Sequence, residues 1–100
     1  MRMSSLIAFG AALAAAPAQA ALAPNYQRAA ELRAVIAHPG VTRALGDDPI
    51  DRVEFVRTDL YRVTAGRCRI DAAIVGIPLP RGVTGARRFD VRPGALVCGR

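Results

Sequence analysis

The hydrophobic period of the chain changes once, near Ile50, and that change decides the class of fold open to it. Before it, Tyr26, Ala29, Leu32 and Ile36 recur at three- and four-residue spacing, the apolar stripe of a helix predicted from Tyr26 to Ala37 with Asn25 as its cap. Arg28 and Glu31 fall on the wet flank of that stripe. His38-Pro39-Gly40 ends the element, His38 serving the last carbonyls or the helix dipole. Val41 to Leu45 offers a further helical turn, and Gly46-Asp47-Asp48-Pro49 is loop.

Beyond Ile50 the residues alternate, which is the period of a half-buried strand. A two-residue turn at Ala65-Gly66 predicts a hairpin pairing Val63 with Cys68 and Tyr61 with Ile70. That register places Tyr61, Val63, Cys68, Ile70, Ala72 and Ile74 on one face. The arms run over residues 52–64 and 67–77, neither broken by Pro, and the first free of Gly as far as the turn. Continuing the parity of the first arm would turn Arg57 and Asp59 inward, so a bulge resets the phase there or the arm is two strands. Pro78 and Pro80 end the second arm. Phe89 and Val91 lie in another strand, and Pro93-Gly94 turns the chain into Ala95-Leu96-Val97-Cys98.

The expected fold is α+β: one N-terminal helix packed on an antiparallel meander of about four strands. This order of elements resembles the cystatin-like architecture, a helix cradled by a curved meander. The likeness is one of architecture, and it implies no activity.

Residues 1–20 read as a signal peptide that is cleaved, leaving residues 21–100 as a single small domain. Arg2 gives a positive start, Leu6 to Ala16 an apolar run broken only by Gly10, Pro17 a helix stop, and Ala18-Gln19-Ala20 the small-x-small pattern of a cleavage site. Ala21-Leu22-Ala23 offers a second cut. The apolar run is shorter than the roughly 20 residues of a membrane span, so no stable span is expected after cleavage. Export, periplasmic or secreted, makes a disulfide between Cys68 and Cys98 the expected state of the only two cysteines. Closing a loop of about 30 residues stabilises by roughly 3.5–4 kcal/mol in the chain-entropy model.

The residue inventory narrows the chemistry. Beyond residue 20 there is no Ser, no Lys anywhere, and one His, so Ser-His-Asp, Cys-His and Schiff-base catalysis lack their nucleophiles. Asp47-Asp48-Pro49-Ile50-Asp51 resembles the D-D-x-x-D string by which prenyl-transferring enzymes hold magnesium, but those enzymes need long helices around a large cavity. Loop carboxylates that turn the chain are the simpler account, and a minimal hydrolase built on Asp47, Asp48, Asp51 and His38 ranks last. The expectation is no metal, no cofactor and no enzyme.

Charge is distributed unevenly. Residues 21–56 carry four Arg against five acids, whereas residues 57–100 carry nine Arg against three Asp. Alternation directs Arg62, Arg67, Arg69, Arg88 and Arg92 to the sheet face away from the helix, with Arg62 opposite Arg69 and Asp71 and Asp90 nearby. Bidentate guanidinium contacts suit an anionic partner: an envelope component or an acidic protein. Nucleic acid is not expected, because no stacking aromatics share that face. The alternative is an interaction subunit that docks through apolar surface such as Ile77 and Leu79, with the charge only solubilising the chain.

Overall fold

The computed structural model describes residues 22–99, so the signal-peptide reading of residues 1–20 lies outside the described residues. Two helices, α1 (Pro24–Ala37) and α2 (Pro39–Leu45), precede four strands, β1 (Arg52–Arg57), β2 (Leu60–Ala65), β3 (Cys68–Ile77) and β4 (Arg88–Cys98). The strands form one antiparallel sheet in the order β1-β2-β3-β4. The α+β meander is therefore present, with a second short helix added to it.

Proline, not asparagine, starts α1. Pro24 occupies the first turn, where its missing N–H costs nothing and its φ is already helical. Asn25 lies inside the helix, and Ala23 caps it without a side-chain bond. Pro39 keeps His38 extended and so ends α1, then opens α2. His38 bridges the two: its backbone N–H donates to the Val35 carbonyl of α1 at 3.3 Å, and its side-chain Nδ1 accepts the Gly40 N–H at 2.9 Å, capping α2.

The buried stripe of α1 also differs from the apolar spacing. Tyr26 is 64% exposed and Ile36 42%, whereas Glu31 and Val35 are buried. The core joins Val35, Val41 and Leu45 of the helices to Tyr61, Val63, Ala65, Ile70, Ala72 and Ile74 of the central strands. Helix α2 packs on β3 and β4, and α1 on β2.

The β2–β3 turn and Pro93-Gly94 differ from expectation, whereas the break expected at Arg57 and Asp59 is present and divides the first arm into two strands. The β2–β3 turn is Gly66-Arg67, with Gly66 at φ +60, so Ala65 pairs Cys68, Val63 pairs Ile70 and Tyr61 pairs Ala72. Placing glycine first suits a turn that needs a positive φ at its first central residue. The slip from the expected register is two residues, which preserves the inward face and changes only the partners. Residues 52–64 form a hairpin of their own, turning at Thr58-Asp59 with Asp59 at φ 62. Aspartate tolerates this left-handed conformation, and its carbonyl is held by the Ile74 N–H at 2.9 Å. A register shift between Phe55 and Arg57 resets the phase, so Arg57 pairs Leu60 on the outer face.

Pro93-Gly94 is not a turn. Strand β4 runs through it, with a register shift opposite Asp71. Proline is tolerated there because β4 is an edge. A Cβ on Gly94 would stand 3.3 Å from the Asp71 carbonyl oxygen, so the bulge needs glycine's bareness. Cys68 and Cys98 then face each other in the ladder and are disulfide-bonded. Cys98 is exposed, at the uncovered end of the sheet rather than deep in the core.

Candidate anion-binding face

The sheet buries one face under the helices and leaves the other to solvent. Pairing sets the outer rows. Arg52, Thr64, Arg69 and Val97 make one row across all four strands, Glu54, Arg62 and Asp71 the next, and Leu60, Ala73 and Arg92 follow with Arg57. Asp90 pairs Val75 and Arg88 pairs Ile77 farther along β3 and β4.

Within the second row Arg62 lies opposite Asp71, not Arg69. Its Nε donates to Asp71 Oδ1 at 2.8 Å and its Nη2 to Oδ2 at 3.2 Å. That hydrogen-bonded pairing holds the Asp71 carboxyl below the usual carboxylate range, with the charges of Arg62, Arg69 and Arg57 adding to it against partial burial. The repulsion expected across the ladder is replaced by attraction. At the sheet edge Arg52 Nε donates to Glu54 Oε1 at 3.0 Å.

The structure brings Arg62, Arg67 and Arg69 together with Arg52, a residue the sequence reading did not single out. They line an open groove of about 260 Å³ with Glu54, Thr64, Gly66 and Cys68. Four guanidinium groups against Glu54, with Asp71 on Arg62, leave a positive surplus. Arg67 and Arg69 are exposed and make no ion pair among the described residues. Arg88 and Arg92 are not part of this groove. Arg69 and Arg92 are separated by four positions of β3, about 13 Å at a strand's rise, and Arg88 lies farther still.

On the helix side a second cluster was missed. Glu31, 6% exposed, accepts the Tyr61 hydroxyl proton at 2.6 Å on Oε1 and the Gln27 amide at 2.8 Å on Oε2. Burial first, and then the bond to Glu31, push the Tyr61 phenol up to about 12. Arg87 reaches Glu31 Oε2 at 3.5 Å and Asp59 Oδ1 at 3.1 Å. It passes over Gly76, where a Cβ would stand 3.3 Å from its Nη2. Arg28 lies 3.7 Å over the Phe55 ring. Gln27, Arg28, Glu31, Phe55, Asp59 and Arg87 line a cleft of about 250 Å³. Its charges are matched, two guanidinium groups to two carboxylates, so it reads as a clasp between α1, the β1–β2 turn and the 78–87 loop. Tyr61, a core position that also needs a hydroxyl partner, was the available signal for Glu31.

The acidic loop does other work. Asp51 Oδ2 accepts the Gly66 N–H at 2.8 Å, steadying the β2–β3 turn. Among the described residues no three His, Cys, Asp or Glu side chains gather as metal ligands would. Comparison of the chain with protein-family models, curated proteins and solved structures finds no match.

Proposed function

We propose that this is a small exported, non-enzymatic binding or accessory protein of the cell envelope, which holds an anionic partner on the outer sheet face near the β2–β3 turn. One observation carries the reading. Arg62 is neutralised by Asp71 and Arg52 is tied to Glu54, while Arg67 and Arg69 beside them make no ion pair among the described residues. Exposed guanidinium groups lining one groove suit a phosphate or carboxylate. Export rests on the pattern of residues 1–20, and the Cys68–Cys98 bond fits an oxidising compartment. No helix among the described residues is long and apolar enough to cross a membrane.

The test is binding to vesicles containing anionic phospholipid and to polyglutamate, at low and high salt. Affinity is expected to fall steeply with salt, and by roughly tenfold or more in Arg67→Gln/Arg69→Gln. Arg88→Gln/Arg92→Gln should lose much less. Equal losses in the two double variants, or indifference to salt, would overturn the assignment of the groove.

A second reading is favoured by the apolar side chains that interleave with these arginines. Leu60, Val75 and Ile77 are half-buried on the same face and Val97 is 46% exposed. A protein-interaction subunit docking through them would hold one partner regardless of salt.

A further inference from the structure

We propose that the open edge of β1 takes an extended acidic segment of a partner protein as a fifth strand of the sheet. This rests on the anion-binding reading above and names the partner and its mode.

An edge strand presents unpaired backbone donors and acceptors to any chain that can lie beside it. Strand β1 is such an edge, and Phe55 and Val56 on it are 41% and 39% exposed. Cations flank it on both sides of the sheet. Arg28 covers Phe55 on the helix side, while Arg52 and Arg57 lie on the outer side with Glu54, which Arg52 holds at 3.0 Å, between them. The register shift at Val56 is what puts them there together, since unbroken alternation would send Arg57 inward. Arg52 also lines the groove that holds Arg67 and Arg69, so on either side of Glu54 the acidic side chains of an added strand would meet Arg57 and the groove's surplus of guanidinium groups. The exposed apolar pair gives an extended peptide something to cover that an isolated phosphate cannot use.

Other occupants fit less well. The β4 edge contains Pro93, which has no N–H to offer, and the bulge at Gly94. A second copy aligned antiparallel along the whole of β1 would set Arg52 against Arg57 at either end, like charges across a ladder.

The experiment follows backbone amide shifts of the isotopically labelled protein on addition of a short peptide alternating Glu with Val. The same peptide N-methylated at every second residue, inorganic phosphate, and anionic-phospholipid vesicles are added separately. Shifts centred on residues 52–57, with binding roughly tenfold or more weaker for the N-methylated peptide and for Arg52→Gln/Arg57→Gln, are expected. Binding confined to residues 64–69 and unaffected by N-methylation would overturn the added strand and leave the anion-binding reading standing. So would binding of phosphate or vesicles but not of the peptide. Binding of none of the probes would overturn both, and a dimer of the free protein paired through β1 would overturn the choice of partner.

Discussion

Arg62 on β2 grips both carboxylate oxygens of Asp71 across the ladder on β3, and that single pairing separates the committed from the uncommitted arginines of the outer face. Side chains 34% and 37% exposed limit what the pair contributes.

Asp71→Asn is expected to lower stability at neutral pH by at most about 1 kcal/mol. The folded state holds this carboxyl below its ordinary range, so its contribution is present above the unfolded value, about 3.9, and is lost as the pH falls below it. Urea midpoints of wild type and variant should therefore differ at neutral pH and converge in acid. Release of Arg62 should also tighten anion binding, measured by the same vesicle titration.

Tyr61→Phe tests the helix-side clasp. With its phenol pushed up to about 12, the folded state favours the neutral hydroxyl. That contribution is complete below about pH 10, the unfolded value, and is lost as the pH rises through 12, a decline of roughly 2–3 kcal/mol. The variant should lack this alkaline decline in a denaturation series. At neutral pH it should be less stable by about 1.5–3 kcal/mol, the range for a hydrogen bond to a charged group.

Arg87→Ala should loosen the 78–87 loop and leave Glu31 and Asp59 without their shared cation. A loss of about 1–2 kcal/mol is expected, moderated because the arginine side chain is 38% exposed. Hydrogen exchange should quicken over residues 78–87, while β2 and β3 keep their protection. Unchanged exchange in that loop would show that Arg87 does not fasten it.

Reduction of Cys68–Cys98, or its replacement by a pair of alanines, should cost roughly 3.5–4 kcal/mol by chain entropy. Thermal unfolding with and without reductant measures this, and the double-alanine variant should be blind to reductant.

The class of fold was legible because the period changes where the helices give way to strands, and because parity survives a slip of two. Tyr61, Val63, Ile70, Ala72 and Ile74 face inward in either register. What parity cannot supply is the partner: Arg62 falls opposite Asp71 and not Arg69 because Gly66 is the first turn residue and not the second. Parity located the break at Arg57 and Asp59 but not the turn itself, because neither Gly nor Pro marks Thr58-Asp59; aspartate takes the positive φ. Glu31 was missed for a different reason. Apolar spacing counts a carboxylate as solvent-facing, and it takes the Tyr61 hydroxyl, the Gln27 amide and Arg87 together to make its burial favourable. Pro93-Gly94 carries the usual marks of a turn, and only its place on an edge lets β4 pass through it.

The order β1-β2-β3-β4 means that each strand pairs only with its neighbours in sequence. No early strand has to wait for a late one before it can zip, a topology associated with quick folding. Cys98 ends the last strand of the meander, and its partner Cys68 opens the one before it. With no third cysteine to mispair with, oxidation within the chain has one possible product, and that bond latches the exposed end of β4 to the start of β3.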